Sequence, residues 1–253
     1  MNTGIIVQAR IKSTRLPSKI LKKILGKPIL ILELERIKKI MNIDEIIVVI
    51  PISPGDEIIE EIVYKYDKSI KVFKGSENDV LDRYFKAAQL FKLDNIVRIT
   101  SDCPLIDPKV SNLVIKKFFE NDCDYCSNVE PRTFPYGLET EIFSYNILNK
   151  IWQKVKRSDE REHVTLYIRK HLNEFKFQNV TNSIDLTNLR WMLDYQRDFD
   201  FIQEVYKKLY NVKKDIFYME DILNLLKKEP NLINEIESWH KLSDTFKRKR
   251  IIK

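Results

Sequence analysis

Ten residues near the amino terminus, Arg10-Ile11-Lys12-Ser13-Thr14-Arg15-Leu16-Pro17-Ser18-Lys19, carry four basic side chains and three hydroxyls. That mixture suits a polyphosphate: arginine offers planar forks of donors, lysine a point charge, and loop N–H groups add fixed dipoles. On composition alone a solvated basic loop would read the same way. Two carboxylates supply the complementary chemistry. Asp102 stands in Arg98-Ile99-Thr100-Ser101-Asp102-Cys103-Pro104-Leu105-Ile106-Asp107-Pro108, and Asp194 in Arg190-Trp191-Met192-Leu193-Asp194-Tyr195-Gln196-Arg197-Asp198. Carboxylates from separate strand ends, joined by phosphate oxygens, are a set that Mg²⁺ accepts. Each also has a plainer alternative as a turn or helix-capping aspartate. Asp107 before Pro108 fits such a cap, whereas Asp102 lies too early for it.

These segments need elements to place them. Ile5 to Ala9 is a continuous apolar run, as expected of a strand covered on both faces. Pro28 to Met41 reads as a helix, with Leu30, Leu34, Ile37 and Met41 on one face. Strands at Glu45–Ile50, Ile70–Phe73 and Asn95–Thr100 then alternate with helices at Asp56–Tyr66 and Asp79–Lys92. Such alternation implies right-handed crossovers and a mostly parallel sheet, so the fold class is α/β with helices on both faces. In an open α/β sheet ligands bind beyond the carboxyl ends of the strands, which puts the basic loop and Asp102 over the site.

The middle changes character. Strands are expected at Asp124–Val129, Leu138–Ser144 and Phe175–Asn179, and helices at Tyr145–Val155 and Glu162–His171. A strand at Leu189–Leu193 precedes helices near Phe199–Leu209, Met219–Lys228 and Leu232–Trp239. The simplest organisation is one domain over 1–253, with a smaller, partly antiparallel insert at about 124–182 and a helical part at about 198–253.

Six ordered motifs carry a resemblance. They are Gln8-Ala9-Arg10 with Ser13-Thr14-Arg15-Leu16-Pro17 and Lys19; Asp79-Val80-Leu81-Asp82-Arg83-Tyr84; Ser101 to Pro108; Glu139-Thr140-Glu141-Ile142-Phe143-Ser144; Arg161-Glu162-His163-Val164-Thr165; and Trp191-Met192-Leu193-Asp194-Tyr195. Together, from Ile5 to about Ile202, they resemble the cytidylyltransferases related to CMP-3-deoxy-manno-octulosonate synthetase, most closely the spore coat polysaccharide biosynthesis protein F group.

The resemblance implies a Rossmann-like, GT-A-like nucleotidyltransferase fold that transfers CMP from CTP to an acidic sugar or related acceptor and releases pyrophosphate. It implies that Arg10 and Lys19 hold the CTP phosphates with help from Arg15, and that Gln8, Ala9, Ser13, Thr14 and Ser101 line the nucleotide. By the same resemblance Asp102 and Asp194 would carry Mg²⁺, and Asp82 and Arg83 would lie near the nucleotide. Arg10, Lys19 and Asp102 would be the catalytic groups, and Arg132, Glu141 and His163 would face the acceptor. Two departures stand out: Lys12 and Ser18 occupy positions where the family has glycine, and Ser101 and Cys103 flank Asp102 where the octulosonate enzymes have Gly and Glu. A GT-A-type glycosyltransferase using a nucleotide sugar is the alternative, against which the charge density of residues 10–19 argues.

Composition bounds the rest. The chain has 253 residues, 43% hydrophobic and 32% charged, enough for a sizeable core. Its five glycines assemble neither GxGxxG nor a Walker A loop. Three cysteines suit a reducing cytoplasm, and neither a signal-peptide pattern nor a run of about 18 apolar residues is present. The net charge of +7 suits phosphate-bearing ligands, but no RNP-like motif, zinc finger or basic recognition helix points to nucleic acid. Cys123 and Cys126 offer one pair of the four ligands zinc needs, and Asp122-Cys123-Asp124 reads as a turn. The expected location is cytoplasmic and the expected partners are CTP, a small acidic acceptor and a second copy of the chain, without membrane or nucleic acid.

Overall fold

Strand β1 (Thr3–Gln8) alternates its side chains between two apolar layers, and that alternation sets the architecture. The structure is a computed structural model and describes residues 1–211 and 216–232. Ile5 and Val7 face one layer, with Leu30, Leu34 and Ile37 of α1 (Ile29–Ile37), Ile59 and Val63 of α2 (Glu57–Tyr66), and Val114 of α4 (Pro108–Glu120). Ile6 faces the other, with Leu81, Tyr84 and Ala88 of α3 (Val80–Leu90) and Leu148 and Ile151 of α5 (Tyr145–Lys154). Both faces of the sheet are therefore covered, as the continuous apolar runs require.

The remaining strands are β4 (Glu45–Pro51), β5 (Lys71–Gly75), β6 (Asn95–Thr100), β7 (Tyr125–Ser127), β8 (Glu141–Ser144) and β9 (Phe177–Asn179); a two-residue ribbon pairs β2 (Lys23–Ile24) with β3 (Lys27–Pro28). The large sheet has seven strands in the order β5-β4-β1-β6-β8-β7-β9. The first four pair in parallel, with β1 between β4 and β6. Strand β8 alone runs against its neighbours, and β9 returns parallel to β7. The expected insert thus extends the main sheet. The chain reverses lateral direction between β1 and β6, and the crevice beyond their carboxyl ends is where such sheets bind ligands.

Three expectations needed correction. Helix α1 stops at Ile37; Ile40 is buried in the place expected of Met41, which is 62% exposed. Asn42 turns there with positive φ, so that Asp44 N–H can meet the carbonyl of Thr3. The helix expected over Glu162–His171 is broken into α6 (Ser158–Glu162) and α7 (Leu166–Lys170), because Val164 and Thr165 are drawn into the core between them. No strand forms at Leu189–Leu193. That segment crosses the sheet's carboxyl end with a single parallel bridge, Arg190 to Tyr136. The helix expected at Leu232–Trp239 lies, past Leu232, outside the described residues.

A third apolar cluster caps this end. Trp191 and Leu193 pack with Leu16, Leu105 and Leu138, and with Phe201, Ile202 and Tyr206 of α8 (Gln196–Leu209) and Leu226 of α9 (Met219–Lys228). Gly137 makes that packing close. Its φ is 101°, and a Cβ there would stand 2.7 Å from both Met192 N and Trp191 C. Gly137→Ala should therefore destabilise the protein by about 2–3 kcal/mol in denaturant unfolding, from left-handed strain plus the clash.

Candidate active site

The loop after β1 places its charges by local means. Ile11 N–H donates to Asp56 Oδ1 at 2.7 Å, which ties the loop to the start of α2. Lys12 reaches Glu77 Oε1 at 2.6 Å. Ser18 adopts a left-handed conformation, φ 51° and ψ 32°, directly before a 3-10 turn at Lys19–Leu21. This is one of the two positions where the resembled family carries glycine, and the backbone keeps the glycine-like conformation although the side chain has changed. The turn buries Ile20 and sends Lys19 inward.

Lys19 is the centre of the site. Its Nζ lies 3.1 Å from Asp102 Oδ2, 3.0 Å from Asp194 Oδ1 and 2.7 Å from the carbonyl of Leu193. Arg15 Nη2 joins Asp194 Oδ1 at 2.8 Å, and Arg190 Nη2 takes Asp194 Oδ2 at 2.6 Å. Thr100 Oγ1 donates to Asp102 Oδ1 at 2.6 Å, and Leu193 N–H donates to the Asp102 carbonyl at 2.8 Å. The two aspartates named from sequence thus converge on one cation from two different segments. Burial works against the charged Lys19 ammonium, but Asp102 and Asp194 outweigh it and raise its pKa. Burial would likewise raise Asp194; Lys19 and Arg15 instead hold its carboxyl at about 2.

The other expected residues divide. Gln8 is half-buried and Ala9 buried at the end of β1, and Ser101 N–H donates to the Gln8 carbonyl at 3.2 Å. Arg10, Thr14 and Arg15 are exposed over the crevice, Ser13 half-buried. Arg10 Nη2 stands 3.8 Å from Glu162, which brings α6 and the exposed His163 to the same loop. Asp82 turns toward α5, accepting from Trp152 Nε1 at 3.0 Å and pairing with Lys86. Arg83 is buried against Gly75, with Nε and Nη1 lacking partners.

Glu141 is the correction. It is 3% exposed and pairs with Arg98, while Tyr125 OH donates to its other oxygen at 2.5 Å, so both oxygens are engaged in the layer between sheet and helices. The carboxylate nearer the crevice is Glu139, two residues earlier. It pairs with Arg132 Nη1 at 2.5 Å, accepts from Gly137 N–H at 2.7 Å, and lies 3.7 Å from the Cys103 sulfur beside Asp102. Arg132 in turn lies over the ring of Tyr136. Alternation along β8 could have separated Glu139 from a core position only if the strand's start at Glu141 were known. Cys103 is no nucleophile here: burial, with Glu139 and Asp102 beside it, pushes its thiol well up.

Two further acids were missed. Asp198 Oδ2 accepts from Asp194 N–H and Tyr195 N–H at 2.8 and 3.0 Å and so caps α8. Glu33 of α1 is wholly buried; burial, then the charge on Asp102, raises its pKa well above the usual carboxylate range. Asp198 stands in the Asp194 segment, three residues into a capping pattern, whereas nothing in the helical spacing marks Glu33.

Mg²⁺ fits this donor set. Asp102 and Asp194 touch one ammonium, so their oxygens already point at a common centre, and carboxylate oxygens of this kind are what the ion would take. Among the described residues no third His, Cys, Asp or Glu completes a metal cage.

A profile of the cytidylyltransferase family matches residues 4–240. The chain is 30% identical to the spore coat polysaccharide biosynthesis protein SpsF of Bacillus subtilis, over 92% of this chain and 97% of that protein. A solved cytidylyltransferase from Leptospira borgpetersenii serovar Hardjo-bovis superposes with a TM-score of 0.86 at 34% identity, covering 92% of this chain and 97% of that one. The CMP-2-keto-3-deoxy-manno-octonic acid synthetase solved with CTP shares the fold, with a TM-score of 0.63 at 15% identity over 82% of this chain and 99% of that one.

The depressed Asp194 carboxyl makes a pH prediction. Its folded pKa of about 2 lies below the ordinary value of 3.8, so its stabilisation is full above about pH 4 and is lost as pH falls toward 2. Asp194→Asn should be about 2 kcal/mol less stable than the natural protein near neutral pH. That gap should close across the acid range in parallel denaturant titrations.

Proposed function

The chain belongs to the cytidylyltransferase family, and on that premise we propose that it transfers CMP from CTP to an acidic sugar or related acceptor and releases pyrophosphate. The observation that carries this reading is the Lys19 ammonium held between Asp102 and Asp194 beneath a loop bearing Arg10 and Arg15. A triphosphate entering the crevice meets Arg10 first, exposed and only loosely paired with Glu162. Lys19 and Arg15 then exchange their carboxylates for phosphate oxygens. Asp102 and Asp194 would hold Mg²⁺, and the ion would supply charge neutralisation of the phosphates.

The acceptor oxygen attacks the α-phosphorus in line, a new P–O bond forms, and the bond to the pyrophosphate oxygen breaks. Positioning and charge do most of the work in such displacements. Lys19, Arg15 and Arg10 take up the negative charge that builds on the departing pyrophosphate. Arg132, stacked on Tyr136 and paired with Glu139 next to Cys103, and His163, adjoining Glu162, are the acceptor-side groups in this reading. The Cys103 thiol stays protonated, so no covalent intermediate on it is involved.

The test is pyrophosphate release from CTP, ATP, GTP and UTP with Mg²⁺, against a panel of acidic sugars, sugar phosphates and phosphonates. Release that needs both CTP and one acceptor class is expected. Lys19→Met should lower that rate by about 10²–10³-fold, the usual loss when one transition-state charge partner is removed. A chain that binds no CTP under any of these conditions would sink the reading.

A further inference from the structure

Asp194 meets its three cations unequally. Lys19 and Arg15 both reach Oδ1, at 3.0 and 2.8 Å, and both come from the loop after β1. Oδ2 belongs to Arg190, 2.6 Å away and four residues earlier in the same segment. We propose that Arg190 is a positioning residue for Asp194: it holds Oδ2, so that Oδ1 stays turned into the crevice after Lys19 and Arg15 have left it for the phosphates. This rests on the function proposed above.

Arg190 is anchored independently of the loop cations. Its backbone bridges Tyr136, with Tyr136 N–H donating to the Leu189 carbonyl at 2.9 Å and Trp191 N–H to the Tyr136 carbonyl at 2.6 Å. Gly137 lets the two chains approach so closely, and Trp191, 1% exposed, locks the segment into the third apolar cluster. The Arg190 side chain is itself only 16% exposed, and its Nε lies 3.8 Å from Asp198 Oδ2. Arg190 therefore sits between Asp194 and the acid that caps α8 and fixes the Asp194 backbone. The planar fork can face both carboxylates at once, which a lysine point charge cannot. Lys19 and Arg15 also touch the Asp194 segment, at the Leu193 carbonyl and the Tyr195 ring, but their backbone belongs to a different loop, tied to Asp56 and Glu77.

Groups that orient a metal-binding side chain commonly change metal affinity by about 10–100-fold when removed. The readout is Mn²⁺ binding to the enzyme–CTP complex without acceptor, followed by the electron paramagnetic resonance of free Mn²⁺. Arg190→Gln should weaken Mn²⁺ by about tenfold, while CTP affinity measured without divalent cation stays unchanged. Arg190→Lys, which keeps the charge but loses the fork, should recover part of the loss. In an Asp194→Asn background Arg190→Gln should add nothing further. An Arg190→Gln protein with natural Mn²⁺ affinity overturns the inference and leaves the proposed function standing. So does an equal loss in both backgrounds, because Arg190 would then act only as a staple of the fold. If the natural protein with CTP takes up no Mn²⁺ at all, both readings fall.

Discussion

Lys19, Asp102 and Asp194 reach the crevice from three separate segments, and none of them could be withdrawn from water there alone. A buried unpaired charge costs several kcal/mol, whereas a carboxylate already paired and hydrogen-bonded tolerates the loss of water. The cluster solves this by mutual neutralisation: Lys19, Arg15 and Arg190 against Asp102, Asp194 and Asp198. Each member then depends on the geometry of the others. The same arrangement underlies the proposed function, in which phosphate oxygens take the cations that the carboxylates hold in the free protein.

Everything below the crevice serves to keep those three segments in register. Helix α1 is buried on nearly every side, its Leu30, Leu34 and Ile37 against the sheet and its Ile29 and Leu32 against the third cluster. Its Arg36 donates to the carbonyls of Ile106 and Phe217, joining the loop after β6 to the segment leading into α9. The Asp194 segment gains its position from Tyr136, Gly137 and Asp102 through the backbone, not from strand pairing. A short crossing segment of this kind can present a side chain over the strand ends, which a full strand in the sheet could not.

The Arg132 side of the crevice is built on a different principle. Arg132 is already paired with Glu139 and stacked on Tyr136, and both belong to the connection between β7 and β8. Because β8 runs antiparallel to β6, that connection returns to the carboxyl end of the sheet, beside Asp102. Reversal of one strand thus brings a second set of polar side chains to the crevice. The buried Arg98–Glu141 pair lies one layer deeper and holds β6 to β8.

Local patterning was enough for the strands β1, β4, β5 and β6 and the helices between them, because apolar periodicity and turn residues act over a few neighbours. It was also enough to single out the loop from Arg10 to Lys19, Asp102 and Asp194 as candidates, although residue types alone leave a solvated loop and capping aspartates as alternatives. It misplaced Met41 and drew a strand through Leu189–Leu193, and the resemblance set Glu141 toward the acceptor although it is buried against Arg98, because side-chain direction depends on where pairing starts and on what lies across the sheet. Glu33 owes its state to complete burial and Glu139 its place beside Asp102 to Cys103, distant in sequence, and short-range spacing carries no trace of either; Arg190 and Asp198 act on neighbours three or four residues away but gain their meaning only once Asp194 is placed. The sequence by itself determined the kind of fold, which follows from local residue types and periodicity, and, through its six ordered motifs, the family to which the chain belongs. Only the tertiary structure decided which carboxylates share a cation and which are sealed in the core, because burial and charge pairing are properties of segments brought together from far along the chain.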